Sequence, residues 1–289
     1  MSILLTALAV MIGLVIILTT ILWIAHRILH VDEDVRIDVV EQALPNSNCG
    51  ACGFAGCRQF AEAILSGGAQ PGQCTVSTEA QQLAIANFVG VELQAVEKRV
   101  ARVACGGGLN VARLQANYQG LKTCRAAALA GGGGKACPWG CLGYGDCADV
   151  CEFDAIVMDR YGIPQVLEAA CTACGDCVDA CPKDLISLHP QSKRLWVRCS
   201  NQEEGDSVLD YCEVACNGCG RCVADAKPGH IQLVHFLAQI DYLQADMEKT
   251  PMQRCPTGSI VWLNEDGSVE LGRASQEPLR QSTIKALPT

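Results

Sequence analysis

The sequence contains few aromatic and few basic residues, and both shortages limit what the chain can be. Phe, Trp and Tyr make up only 5% of its 289 residues, so large apolar cores are not expected to hold its domains together. It has 22 Lys and Arg against 31 Asp and Glu, a formal net charge of −9, which argues against nucleic acid as a partner. The composition favours one to three small domains stabilised by bound metal.

Nucleotide-binding patterns are also missing. No Gly-x-Gly-x-x-Gly lies between a predicted strand and a helix, which argues against a nicotinamide or flavin site. The stretch GGGGK at residues 131–135 lacks the first glycine of a phosphate loop, because Leu129 occupies that position, and Ala136 stands where Ser or Thr is required. We interpret it as a turn.

Charge is absent from residues 2–25. As a helix this segment would be roughly 36 Å long, enough to cross a membrane. The apolar run is too long for a cleaved signal peptide, and it lacks a basic start and a small-x-small cleavage site. Arg27 is the only Lys or Arg near the helix, so the positive-inside rule places everything after it in the cytoplasm. The sequence predicts a single-pass anchor.

Cysteine is abundant, with twenty residues. Regular C-x2-C-x2-C runs place neighbouring thiols in a pattern that suits metal binding in a reducing compartment better than disulfides. Four segments also share a position, usually cysteine, that is followed five residues later by isoleucine. The pairs are Cys151 and Ile156, Cys181 and Ile186, Ala226 and Ile231, and Cys255 and Ile260. Each segment predicts a loop and helical turn followed by a short strand, giving an α+β fold with two ferredoxin-like modules.

The run Cys171-x2-Cys174-x2-Cys177-x3-Cys181-Pro182 is typical of bacterial ferredoxins, in which three thiolates bind one cubane and the fourth binds the other. The run before it is Cys137-x3-Cys141-x5-Cys147-x3-Cys151, with Tyr144 where the middle cysteine of an ordinary motif is expected. We predict that Cys137 replaces this missing ligand. Crossed ligation then predicts two 4Fe–4S clusters. Their ligands are Cys137, Cys141, Cys147 and Cys181 for one, and Cys151, Cys171, Cys174 and Cys177 for the other.

The second module predicts one cluster only. Its ligands are Cys216, Cys219, Cys222 and Cys255. The positions that would bind the crossed partner are Ala226, Ala245, Glu248 and Pro251. Because all four ligands of one site are missing and all four of the other remain, we infer that this module has lost one cluster cleanly.

Another group lies near the N-terminus, with Cys49, Cys52, Cys57 and Cys74 set among glycines. Its spacing allows a 4Fe–4S cluster or a structural zinc ion. The remaining cysteines are Cys105, Cys124, Cys199 and Cys212. They allow a fifth cluster or act as buried structural thiols, and both alternatives stay open here.

These patterns divide the chain into six parts. We predict an anchor (1–26), a linker (27–45), a four-cysteine domain ending in an amphipathic helix between Glu79 and Val103 (46–103), a two-cluster module (104–198), a one-cluster module (199–271) and a polar, disordered tail (272–289).

The chain resembles the B subunit of the Rnf complex, the ion-translocating ferredoxin:NAD oxidoreductase of bacterial membranes. The similarity is carried by NCGACGFAGCRQFAEAI at residues 48–64, by CPWGCLGYGDCADVCEFDAI and CTACGDCVDACPKDLI, and by the N-terminal helix. It implies a 4Fe–4S cluster on the first four cysteines and ferredoxin-type ligation by Cys171 to Cys181. This chain differs from the shorter bacterial form of the family by its extra C-terminal module. It differs from the longer form because that module has lost a cluster.

The resemblance implies a protein that breaks no substrate bond. It would relay electrons between soluble ferredoxin or flavodoxin and the redox partners of the complex, on the cytoplasmic side of the bacterial inner membrane, while the assembly moves Na⁺ or H⁺. Two alternatives remain at this point. One is an anchored polyferredoxin serving another dehydrogenase, and the other is a structural or sensory metal protein.

Overall fold

The computed structural model of the chain describes residues 2–29, 34–93, 97–243 and 248–276. Its helices are α1 (Ser2–Leu29), α2 (Val35–Ala43), α3 (Cys57–Leu65), α4 (Glu79–Val89), α5 (Cys124–Leu129), α6 (Asp146–Asp149), α7 (Asp176–Ala180) and α8 (Arg221–Asp225). Its strands are β1 (Arg99–Val103), β2 (Ile156–Met158), β3 (Pro164–Val166), β4 (Ile186–Pro190), β5 (Leu195–Val197), β6 (Ile231–Val234), β7 (Leu237–Ile240), β8 (Ile260–Leu263) and β9 (Val269–Glu270). Short 3-10 helices lie at Pro71–Gln73, Asp206–Asp210 and Thr250–Met252. The predicted mixture of helices and short strands is confirmed.

Helix α1 is the predicted apolar helix. Leu4–Ile28 has a mean hydropathy of 2.7 and packs against no other part of the described chain. The Thr19 and Thr20 hydroxyls donate to the carbonyls of Val15 and Ile16 within the helix, so these polar groups do not oppose burial in lipid. The helix is long and apolar enough to cross a membrane.

Helix α2 corrects the prediction of a linker up to residue 45. Ile37, Val40 and Leu44 follow one another at helical spacing, and Val40 and Leu44 are buried in a small core with Phe60. Because one face of this segment is apolar, it folds as a helix against α3. The N-terminal domain therefore begins before residue 46.

The predicted amphipathic helix is also shorter than expected. Thr78 and Gln81 form a capping box at the start of α4, and Gly90 ends the helix in a left-handed conformation (φ 80°). Residues 99–103 instead form β1, which pairs antiparallel with β4 and places Val103 opposite Ile186. Val100 is fully buried against the core of the following domain, so long-range pairing outweighs the local helical pattern.

Strand pairing reveals two repeat units. In the first repeat unit (residues 99–190) β1 pairs with β4 and β2 with β3, and in the second (residues 195–263) β5 pairs with β8 and β6 with β7. Each isoleucine of the sequence repeat is the first residue of a strand, as predicted. The predicted boundaries at 104 and 198 differ, since β1 and β5 each belong to the unit that follows them.

The two units are docked by buried polar contacts. The Glu168 carboxylate is buried and is paired with Arg102 and, at 3.1 Å, with Arg194. The Trp196 indole N–H donates to the Val103 carbonyl at 2.9 Å. Trp196 belongs to the second unit and Arg194 directly precedes it, whereas their partners belong to the first. Because buried polar groups require their partners, these contacts hold the units in one orientation.

The predicted tail begins later than residue 272. The Ala274 N–H donates to the Gln253 carbonyl at 2.9 Å, and the Gln276 N–H donates to the Pro256 carbonyl at 3.0 Å. Residues 272–276 are therefore held against the loop that carries Cys255, and residues 277–289 lie outside the described residues.

Candidate metal centres

All twenty cysteines are free thiols, and the fold gathers them into groups of four. Within the described ranges, no three His, Cys, Asp or Glu side chains are close enough together to hold a single metal ion. A tetrahedral zinc ion requires four ligands at bonding distance from one centre, whereas a cubane presents a separate iron to each thiolate. Four thiols in one group match the ligand number of a 4Fe–4S cluster.

The group that contains the regular C-x2-C-x2-C run of the first unit lies around one cavity. Cys151, Cys171, Cys174 and Cys177 all line it. The Ala101 N–H on β1 donates to the Cys171 sulfur at 3.4 Å. Burial and the neighbouring thiols raise the pKa of Cys177 to about 12, so this thiol is protonated at neutral pH until a metal displaces its proton.

The next group differs from the sequence prediction in one member. The cavity beside α6 is lined by Cys124, Cys141, Cys147 and Cys181. Cys137, which the spacing predicts here, lines a different cavity. The structure thus brings Cys124 to the position left by Tyr144.

Asp146 explains this placement. Its carboxylate accepts hydrogen bonds from the backbone N–H groups of Cys124, at 2.6 Å, and Arg125, at 3.0 Å, so the start of α5 is fixed against the start of α6. The backbone N–H groups of Tyr144, Gly145 and Asp146 then face the Cys124 sulfur. A cysteine at position 144 would have supplied its sulfur to this region directly. Here a thiol from a distant part of the sequence does so.

The second repeat unit gathers the predicted set. The thiols of Cys216, Cys219 and Cys255 lie close to Cys222, and burial followed by these neighbours raises the pKa of Cys222 to about 12. Cys219 is exposed, whereas the other three are buried. One corner of this site therefore lies at the protein surface.

Cys255 has unusually many hydrogen-bond donors. Burial opposes its ionisation, but the backbone of Ile260 and the hydroxyls of Ser259 and Thr257 stabilise the thiolate and lower its pKa. The Ser259 and Thr257 oxygens lie 3.5 and 3.8 Å from the sulfur. At the corresponding position of the first unit stands Leu185, which contributes only its backbone N–H to a cysteine sulfur, at 3.5 Å.

Hydrogen bonds to sulfur raise cluster potentials because they stabilise the more negative, reduced state. We expect the double change Ser259→Ala and Thr257→Val to lower one midpoint potential by on the order of 20–60 mV, the one-electron equivalent of a typical hydrogen bond. A redox titration followed by paramagnetic resonance measures this shift, with Ser207→Ala as the matched control. Unchanged midpoints in the double variant would contradict the assignment.

The positions from which the spacing predicts a lost cluster line a cavity without thiols. Ala226, Glu248 and Pro251 line it, together with Lys227, and no cysteine of the described chain does so. The Lys227 ammonium lies 2.9 Å from the Glu248 carboxylate. Ala245, the other predicted replacement, lies outside the described residues.

The N-terminal group comes from the loop before α3, the start of α3 and the end of the 3-10 helix Pro71–Gln73. Cys57 is the first residue of α3, and its N–H donates to the Asn48 side-chain oxygen at 2.8 Å. The Cys49 and Cys74 thiols lie near Cys52, whose pKa is raised mainly by burial. Cys57 and Cys74 are buried, so this site is closed on one side by the core of the N-terminal domain.

The last group joins the two repeat units. Cys105, Cys137, Cys199 and Cys212 line one cavity. Sequence spacing groups Cys105, Cys199 and Cys212 with Cys124, so the structure exchanges Cys124 and Cys137 between two sites. A repeat comparison signals this exchange, because Cys212 holds the same position in the second unit as Cys137 in the first.

Two segments of the chain match known protein families, and each contains some of the cysteines described above. Residues 44–76 match the family model described as a putative Fe-S cluster, and residues 164–187 match the 4Fe-4S binding domain. The first match contains the N-terminal group, and the second contains Cys171 to Cys181. The chain therefore carries iron–sulfur domains.

Three relatives are similar over most of the chain. The B subunit of the Na(+)-translocating ferredoxin:NAD(+) oxidoreductase complex of Acetobacterium woodii is 36% identical over 87% of this chain and 74% of its own length. The B subunit of the ion-translocating oxidoreductase complex of Methanosarcina acetivorans is 36% identical over 90% of this chain and 98% of its own length. The B subunit of the proton-translocating ferredoxin:NAD(+) oxidoreductase complex of Clostridium ljungdahlii is 37% identical over 78% of this chain and 80% of its own length. The chain belongs to the family of B subunits of Rnf-type ion-translocating oxidoreductase complexes.

Proposed function

We propose that this chain is a membrane-anchored electron relay, in which 4Fe–4S clusters carry single electrons between a soluble ferredoxin or flavodoxin and the other redox subunits of an Rnf-type complex. The observation that gives this proposal most support is that four-cysteine sites lie next to one another through both repeat units. The names of the relatives include ferredoxin, NAD(+) and ion translocation. For this chain those partners belong to the proposal.

The proposed ligands form four sites. They are Cys49, Cys52, Cys57 and Cys74; Cys124, Cys141, Cys147 and Cys181; Cys151, Cys171, Cys174 and Cys177; and Cys216, Cys219, Cys222 and Cys255. When bound, the clusters supply reversible one-electron chemistry. The two repeat units then correspond to ferredoxin-like modules, the second with a single cluster.

The protein's own residues hold the sulfurs and set their surroundings. Cys147 and Cys177 are buried, so each site of the first unit has a ligand that is shielded from water. The thiols of these two residues interact electrostatically, so the two sites lie side by side. Backbone N–H groups directed at sulfur, such as that of Ala155 on Cys151 at 3.4 Å, favour the reduced state. This arrangement suits electron transfer without bond-making chemistry.

Anchoring completes the proposal. Helix α1 would lie in the bacterial inner membrane, with Arg27 at its cytoplasmic end and the cysteine-rich domains in the cytoplasm, where thiols stay reduced. The coupling to Na⁺ or H⁺ would reside in other subunits, because the described part of this chain offers a single candidate membrane helix.

Electron acceptance from ferredoxin tests the function. The full chain, purified anaerobically in detergent, is mixed with chemically reduced ferredoxin, and visible absorbance is followed together with paramagnetic resonance. We expect ferredoxin to be oxidised while the clusters of this chain are reduced, one electron per cluster. The Cys171→Ser variant, which lacks one ligand of one set, should accept fewer electrons. A chain that dithionite reduces but ferredoxin does not would contradict the proposed partner.

A further inference from the structure

The cavity between the repeat units is lined by two thiols from each unit. Cys105 and Cys137 come from the first, and Cys199 and Cys212 come from the second. Cys105 and Cys212 are buried and the other two are half-buried. Four thiols around one cavity are the ligand complement of a 4Fe–4S cluster.

The four positions are equivalent in pairs. Cys105 and Cys199 each stand two residues after the first strand of their unit, β1 or β5. Cys137 and Cys212 each stand four residues before the first cysteine of the following group, Cys141 or Cys216. The same two positions of a repeated structure thus face each other across the contact between units. Unrelated buried thiols would not be expected to follow the repeat.

The surrounding backbone approaches the sulfurs closely. A Cβ atom added to Gly107 would lie 3.0 Å from the Cys212 sulfur and 3.7 Å from the Cys105 sulfur. Cys212 itself is paired with Ala112 in an isolated antiparallel bridge. The backbone of the first unit therefore comes close to both sulfurs at Gly107, where a side chain would crowd them, and main-chain pairing between the units positions Cys212.

Positive charge lies at the same cavity. The Lys135 ammonium donates to the Cys141 carbonyl at 2.6 Å and also to the Gly107 carbonyl, and Lys135 and Arg198 both line the space. Four thiolates around iron carry net negative charge, which nearby cations stabilise in a partly buried site. The sequence analysis interpreted the segment that ends in Lys135 only as a turn. The structure places the Lys135 side chain in the lining of this cavity.

Two backbone hydrogen bonds connect this site to its neighbours. The Cys141 N–H donates to the Cys105 sulfur at 3.3 Å, and the Cys216 N–H donates to the Cys199 sulfur at 3.3 Å. Cys141 belongs to the adjacent site of the first unit and Cys216 to the site of the second. The inter-unit cavity therefore lies directly between two proposed clusters.

We propose that Cys105, Cys137, Cys199 and Cys212 bind a further 4Fe–4S cluster that carries electrons from the first repeat unit to the second. This inference rests on the proposed function for the chemistry of the other sites and adds a centre that joins them. The electron path through the repeat units then runs from the Cys151 site to the Cys141 site, across the inter-unit site, and to the Cys216 site.

Metal analysis of the anaerobically purified full chain tests the inference. We expect about twenty irons and about twenty acid-labile sulfides per chain, at four per site. The Cys212→Ser variant should retain about sixteen, and Ser200→Ala, which changes the same cavity without removing a thiol, should retain about twenty. Circular dichroism shows whether each variant is folded.

Other outcomes separate this inference from the proposed function. About sixteen reducible irons in the parent chain, with no loss in Cys212→Ser, would overturn the inter-unit cluster and leave the electron relay standing. About sixteen irons with one zinc, which Cys212→Ser removes, would also overturn it. A folded chain without reducible iron would overturn the relay itself. Because the parent chain is measured first, an unfolded variant does not prevent a decision.

Discussion

Replacing both Cys124 and Cys181 with serine is expected to remove only about four irons, because the two residues serve the same cluster. Replacing Cys137 and Cys181 together is expected to remove about eight, because these residues serve different clusters. The loss follows from geometry: Cys124 and Cys181 line one cavity, and Cys137 lines another. Iron and sulfide analysis, with Mössbauer spectra to verify that the remaining clusters are intact, measures the difference.

The single variants provide the controls. Cys124→Ser, Cys137→Ser and Cys181→Ser should each lose about four irons, so any larger loss identifies a structural collapse. If Cys124 belongs to the fifth cluster that the spacing allows, the assignment from spacing alone makes the reverse prediction for the two double variants. If the pair Cys137 and Cys181 cost about four irons and the pair Cys124 and Cys181 cost about eight, the ligand exchange described above would be refuted.

Removing residues 1–29 should transfer the chain from the membrane fraction to the soluble fraction almost completely. Helix α1 has no packing partner within the described chain, so its apolar surface has no other means of leaving water. The iron content of the truncated protein should remain unchanged, since every cysteine lies beyond residue 48. Fractionation of cells that produce this chain alone measures the first property, and iron analysis of the purified protein measures the second.

Point variants refine this test. Leu14→Arg together with Ile17→Arg places two charges in the middle of the helix at about 3 kcal/mol each, and it should also release the chain. Leu14→Val with Ile17→Val is the matched apolar control and should stay in the membrane. If the truncated chain still sediments with membranes after a high-salt wash, helix α1 is not its anchor.

Local patterns predicted many individual elements of the fold. The isoleucines that follow the repeated cysteine positions each begin a strand. A short apolar run with a β-branched first residue, placed directly after a tight loop, favours the extended conformation. The helical period alone extended α4 to Val103, although Thr78 and the left-handed Gly90 mark its ends in the structure. Where the signal is contained in a few neighbouring residues, sequence and structure agree.

Long-range contacts account for the differences. Residues 99–103 have an apolar pattern compatible with a helix, and their partner β4 lies far along the sequence. Cys124 is likewise separated from Cys141 by a glycine-rich loop, and the contact of Asp146 with the start of α5 helps to bring them together. Spacing cannot reveal such a contact. The equivalence of Cys137 with Cys212 was present in the sequence, and comparing complete repeat units would have revealed it.

Anaerobic reduction of the folded, full-length chain by dithionite tests most directly whether its cysteines bind redox-active clusters. We predict brown protein whose visible absorbance bleaches on reduction, with paramagnetic signals broadened by interaction between neighbouring reduced clusters. Iron-free, colourless protein with native circular dichroism, or bound metal that dithionite does not reduce, would contradict this central claim.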